Sequence, residues 1–182
     1  MGQRLELATR TELPLLIAFA DLSRFAAQSS RVSDAELADT MDTFYERVAT
    51  RATAAGGKVV KFIGDAALLV FVEEAVDAGV QMLLELKDEV DSWFAQLGWE
   101  CRLIIKAHVG SVIAGPFGAP GDKRFDVLGR SVNAAAMLDS TGVTLSAEVF
   151  QRLGSELRQR FKQHTPASTY IRIEDPERFR QR

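Results

Sequence analysis

The chain has 182 residues, 47% apolar and 26% charged, the balance of a globular domain with a sizeable core. A net charge of −3 argues against nucleic acid as a partner, because binding a phosphate backbone needs a basic surface. The single cysteine, Cys101, excludes an internal disulfide, and the absence of a signal peptide or membrane segment leads us to expect a cytoplasmic protein.

Residues 1–12 are polar and read as a lead-in strand or frayed end. Leu15 to Ala20 is an apolar strand that ends at Asp21. Leu22-Ser23-Arg24-Phe25-Ala26 then turns into a helix with Ser23 as cap, and backbone amides at such a start can hold an anion. Ser33 or Asp34 caps the next helix, in which Leu37, Met41, Phe44 and Val48 form one amphipathic face. Ala55-Gly56-Gly57 stops it. Lys58 to Phe71 reads as a β-hairpin, two apolar runs around a Gly64-Asp65 turn, with Leu68 to Phe71 buried on both faces.

A second long helix is expected from Glu73 to Leu97, with Val76, Val80, Leu83, Val90, Phe94 and Leu97 facing inward and Gly98 ending it. Cys101 to Ile113 is a long strand that starts on a buried thiol and carries His108 at its far end. That lone histidine reads as a satisfied core or turn residue. Gly110, Gly115, Gly118 and Gly121 suggest a turn-rich segment. A strand from Arg124 to Leu128, a small-residue helix from Ser131 to Leu138 and a short strand from Val143 to Leu145 follow. Ser146 caps a helix to about Leu153, and Thr169 to Ile173 is the last strand. Arg152, Arg158, Arg160, Lys162, Arg178, Arg180 and Arg182 read as a solvated helix end and tail, with His164 exposed. The pattern predicts an α+β fold, a ferredoxin-like palm-type sandwich with helices packed on a mostly antiparallel sheet. Residues 1–182 are expected to form one domain, with its core from about residue 13 to residue 174.

Two carboxylates, Asp21 and Asp65, stand at the ends of apolar strands and can share hard cations. On these residues alone, Asp65 reads first as an ordinary turn residue, and Lys61 is open to being an edge lysine whose stem lies along the strand.

Four segments, in order, carry a family resemblance: Phe19-Ala20-Asp21-Leu22-Ser23-Arg24-Phe25, Lys61-Phe62-Ile63-Gly64-Asp65, Phe125-Asp126-Val127-Leu128-Gly129 and Val132-Asn133-Ala134-Ala135. Together they resemble the catalytic domain of class III nucleotidyl cyclases, from roughly Leu15 to Ile173. The resemblance implies conversion of ATP to 3′,5′-cyclic AMP and pyrophosphate. It implies two divalent cations, Mg²⁺ or Mn²⁺, on Asp21, Asp65 and the Leu22 carbonyl. It also implies phosphates cradled by the amides of Ser23, Arg24 and Phe25, adenine read by Lys61 and Asp126, and ribose oriented by Asn133. Lys162 falls where the family holds the triphosphate, although Gln163 replaces the usual glycine; Ala26 stands where Thr is frequent.

Sites of this family form between two head-to-tail domains. A homodimer would pair Asp21 and Asp65 of one copy with Lys61, Asp126 and Asn133 of the other, and an upstream regulatory domain or partner would control it. The main departure is Met137, where the family usually has an Arg that stabilises charge on the transferring phosphate. Losing such a donor costs about 2.7–4 kcal/mol, roughly 100- to 1,000-fold in rate, so slow activity is expected. Arg130, one turn before Asn133, is a candidate substitute or a plain solvent-facing arginine. Two alternatives stay open: an impaired cyclase-like module that binds nucleotide or a partner, and a cyclase for GTP or a pyrimidine nucleotide.

Overall fold

The computed structural model describes residues 5, 7–164 and 169–175. Arg178, Arg180 and Arg182 of the expected basic tail lie outside the described residues. The elements are β1 (Thr11–Ser23), α1 (Phe25–Ser29), α2 (Asp34–Ala54), β2 (Lys58–Ile63), β3 (Ala66–Val72), α3 (Val76–Gln96) and β4 (Arg102–Ala119). Then come β5 (Asp122–Leu128), α4 (Arg130–Met137), β6 (Val143–Ser146), α5 (Ala147–Arg152), α6 (Ser155–Arg158), β7 (Phe161–His164) and β8 (Thr169–Arg172). The eight strands form one sheet in the order β2-β3-β1-β4-β6-β8-β7, with β5 paired to β4, and only β4 and β6 run parallel. This is the expected α+β architecture.

Strand alternation separates two apolar layers. Leu16, Ala18 and Ala20 of β1, Leu69 and Phe71 of β3, and Leu103, Ile105 and Ala107 of β4 pack with α2 and α3. Leu15, Ile17, Leu68 and Val70 point the other way, against Val127 of β5 and Ala135 of α4. Leu68 to Phe71 are therefore buried on both sides, as the unbroken apolar run predicts. Ser33 caps α2 by accepting the Glu36 amide at 3.3 Å, and Met41, Phe44 and Val48 are buried with Leu37 half-buried beside them. Cys101 is buried, and that burial pushes its thiol pKa up.

Several boundaries differ from the expectation. β1 begins at Thr11, because the start of β4's second half supplies it with a partner, Thr11 opposite Ala114. Glu73–Ala75 is a 3₁₀ turn ahead of α3, and Leu97 is 47% exposed, because α3 ends at Gln96 and the chain reverses at Gly98. β4 does not stop at Ile113, and His108 lies within it instead of at its end. Gly110, Gly115 and Gly118 are strand residues, and only Gly121 falls in a turn. Gly115 has φ 149, and a Cβ there would lie 2.8 Å from the Arg10 Cα, so this glycine marks a close backbone approach, not a turn.

The C-terminal part held more structure than expected. Phe161–His164 is a strand, its Phe161 buried in the helix-side core, and His164 is half-buried. Arg152 pairs with Glu73 at 2.7 Å and Arg158 donates to the Phe150 carbonyl, so these cations bind the chain and are not merely solvated. Ser146 precedes α5, but its hydroxyl lies 2.9 Å from His108 Nδ1 and makes no cap bond. No described helix is long and apolar enough to cross a membrane.

Candidate active site

The central antiparallel pairs bring the two aspartates together. Asp21 lies opposite Ala66 in the β1–β3 ladder, and Ala66 directly follows Asp65 in the hairpin turn. Gly64, at φ 60, lets the chain reverse there. The Tyr45 hydroxyl of α2 donates to the Gly64 carbonyl at 2.5 Å, and its ring stacks on Phe62, which fixes the turn from below. Asp21 shares the side of β1 that carries Leu15, Ile17 and Phe19, the side of α4 and β5.

Asp21 opens to solvent on one side, yet crowding by the surrounding chain raises its carboxyl pKa, and the charge of Asp65 raises it further. The Leu22 amide and the Lys106 ammonium oppose that rise. Two oxygen-bearing groups that repel each other and face solvent suit hard divalent cations. Among the described residues no group of three His, Cys, Asp or Glu side chains converges. The pair fits cations completed by backbone, water and substrate oxygens, and not a closed protein cage.

A second pair forms on the same side of the sheet. Lys61 of β2 donates to Asp126 of β5 at 2.6 Å. A one-residue bulge makes this contact. Val59 faces Leu69, but Lys61, not Val60, faces Leu68. Had Val60 instead paired with Leu68, Lys61 would oppose Ala67 and point into the helix layer. Asp126 also accepts from the Val127 amide at 2.8 Å, which fixes its carboxylate.

α4 carries Asn133 and Met137 one turn apart, both exposed, Met137 by 85%. Arg130 is exposed at the first residue of α4, the opposite end from Met137. Lys162 lies in β7 and points away from the helix layer, opposite to Phe161. Four strand spacings, about 19 Å, separate β7 from β1, so Lys162 is not brought to its own chain's aspartates.

The loop after β1 departs from the expectation. Ser23 ends the strand, and its hydroxyl accepts the Arg102 amide at 3.1 Å instead of capping α1. Arg24 occupies the cap position at φ 59, with its guanidinium 2.7 Å from Glu100. Phe25 packs on the core and Leu22 is buried, leaving their backbone groups for any ligand role.

Two contributors were missed in the sequence. Lys106 of β4 stands opposite Phe19, on the side of Asp21, and its Nζ donates to the Ala136 carbonyl of α4 at 3.1 Å. A lone lysine within the apolar run Leu103-Ile104-Ile105-Lys106-Ala107 was the available signal. The Val60 bulge left none, since Val59-Val60 reads as regular strand.

A family model described as the adenylate and guanylate cyclase catalytic domain matches residues 10–175. An adenylate cyclase of Glutamicibacter nicotianae is 33% identical over 134 residues, 71% of this chain and 29% of that protein. An uncharacterised protein of Mycobacterium tuberculosis is 33% identical over 122 residues, 67% of this chain and 29% of that protein. The chain thus spans about three tenths of the length of these curated relatives. In fold it is similar to the adenylyl cyclase CyaB from P. aeruginosa, with a TM-score of 0.80 at 18% identity over 92% of this chain and 97% of that one. It is likewise similar to the guanylyl cyclase Cya2, with a TM-score of 0.69 at 21% identity over 94% of this chain and 97% of that one. The ordered motifs, the sheet that carries them and the match across residues 10–175 agree: the chain belongs to the class III adenylyl and guanylyl cyclase catalytic domains.

Proposed function

We propose that this chain, as one catalytic domain, converts ATP to 3′,5′-cyclic AMP and pyrophosphate, slowly, in sites shared by two head-to-tail copies. The Lys61–Asp126 contact carries this reading, since it sets a cationic donor beside an acceptor on the sheet side that also bears Asp21. Lys61 donates to adenine N1, and Asp126 accepts from the exocyclic amine. Guanine presents a ring N–H where adenine has N1, so it would meet a donor with a donor.

Asn133 orients the ribose so that its 3′-oxygen approaches the α-phosphorus in line with the departing pyrophosphate. Amides from Ser23 to Phe25 hold phosphate oxygens, with Lys162 as a further cation. Asp21, Asp65 and the Leu22 carbonyl would hold two Mg²⁺ or Mn²⁺, which when bound make the hydroxyl a better nucleophile and offset triphosphate charge. No protein nucleophile is needed.

A second copy is supported by large apolar side chains left exposed on elements that carry the site: Ile63 by 52%, Leu128 by 50% and Met137 by 85%. Met137 also supports a second reading, a nucleotide-binding module with little turnover, because it puts no charge on the last turn of α4.

Incubation with ATP, GTP, CTP and UTP in turn, each with Mn²⁺, tests the proposal. Cyclic AMP from ATP, lost in Asp21→Ala and in Asp65→Ala, is the expected result. A different cyclic nucleotide overturns the base assignment. Mn²⁺-dependent ATP binding without any product favours the second reading.

A further inference from the structure

The last turn of α4 contains no basic residue, and Met137 leaves it toward solvent. A cation nevertheless sits against that turn. The Lys106 ammonium reaches from the middle of the sheet to the Ala136 carbonyl, one residue before Met137. Lys106 is opposite Phe19, and Asp21 is the next β1 residue on the same side. An ammonium has three donors, and the Ala136 carbonyl takes one. A half-buried lysine is thus held against a helix end, with donors to spare. Arg130 does not share this position, since it begins α4 one turn before Asn133.

We propose that Lys106 is a binding residue for the nucleotide's triphosphate, supplying beside Met137 the positive charge that α4 itself lacks. The proposal rests on the cyclase reading. A polyphosphate seated near the last turn of α4 meets this ammonium, and a charge-assisted bond from it grows stronger as charge moves onto the leaving pyrophosphate. The bland role, capping the α4 carbonyls, is compatible with the same geometry but predicts a different pattern of losses.

The test uses the full chain with two substitutions: Lys106→Met, which keeps the stem, and Lys106→Arg, which keeps the charge. The probes are 3′-deoxyadenosine triphosphate, which lacks the attacking hydroxyl, and 3′-deoxyadenosine, both with Mn²⁺. Lys106→Met is expected to weaken the triphosphate about ten-fold while nucleoside binding changes less than about two-fold. Turnover of ATP should fall about ten-fold or more, with kcat carrying more of the loss than KM, and Lys106→Arg should recover most of both. Thermal melting of each variant accounts for folding. Equal weakening of nucleoside and triphosphate, or none, or no recovery in a folded Lys106→Arg variant, overturns the proposal and leaves Lys106 as a cap. Asp21→Ala separates this from failure of the cyclase reading. If that variant still binds the triphosphate as the parent does, the shared site is wrong and the Lys106 proposal falls with it.

Discussion

Lys61 and Asp126 are 65 positions apart in the chain and 2.6 Å apart in space. Neither strand alone aims its residue. The bulge leaves Val60 unpaired and sets Lys61 opposite Leu68, away from the helix layer, and the β4–β5 pairing holds Asp126 opposite Gly115. One consequence follows for base selection. Lys61→Ala should lower the preference for ATP over GTP about ten-fold, chiefly by weakening ATP. Competition between ATP and GTP in this variant checks it. A Lys61→Ala variant that keeps full preference would show that the lysine does not read the base.

In the proposed shared site, Asp21 and Asn133 belong to different copies. Asp21→Ala and Asn133→Ala should each be inactive, and mixing the two should restore activity. A mixed dimer holds one site with both defects and one with neither. Mixtures that form heterodimers but stay inactive would rule out sharing.

Met137→Arg should raise kcat about ten-fold with little change in KM, less than the whole contribution of such a donor because Lys106 supplies part of the charge. Cations acting on the same phosphates are not additive, so the gain should be larger in the Lys106→Met background. An arginine at this exposed helix C-terminus also suits the dipole, so folding should not suffer. Steady-state kinetics of the four combinations decides the point. Equal gains in both backgrounds would separate the two residues.

Arg172 is buried in β8 and donates to both oxygens of Asp88 at 2.6 and 2.8 Å, and also to Glu174 at 2.7 Å. The bond from Arg172 holds the Asp88 carboxyl below its ordinary 3.8. The folded form therefore favours the carboxylate, and this stabilisation is complete above 3.8 and lost as pH falls through the lower folded value. Asp88→Asn should lower Tm near neutrality by about 2–4 °C, for a pair discounted to no more than about 1 kcal/mol by solvent. The difference from the parent should shrink as pH drops below 3.8. Thermal melts across that range measure it, and a difference that stays constant would contradict the pairing.

Local pattern made most of this fold legible. The spacing of Met41, Phe44 and Val48 and the unbroken run Leu68 to Phe71 state their burial outright, and both are met. The glycines of β4 misled, because close backbone approach and a turn select the same residue. β7 was missed because a four-residue strand pairing with β8 has almost no periodicity of its own. At the site, residue identity pointed to Asp21, Asp65, Lys61 and Asp126, and register brought them into pairs. The side-chain roles of Ser23 and Arg24 were not legible, since their partners, the Arg102 amide and Glu100, lie more than seventy residues away. Lys106 acts through a carbonyl of α4, a contact that no local pattern encodes.

The bulge at Val60 has a second effect, on solubility. β2 lies at the end of the strand order, where among the described residues one row of backbone donors and acceptors has no neighbouring strand within the sheet. A straight edge of this kind, with Val59, Val60, Phe62 and Ile63 in its sequence, is a template on which other chains can add as further strands. The extra residue breaks the regular spacing of those groups halfway along the strand. The irregularity that sets Lys61 against Asp126 therefore also interrupts an edge that could otherwise seed fibrous aggregates.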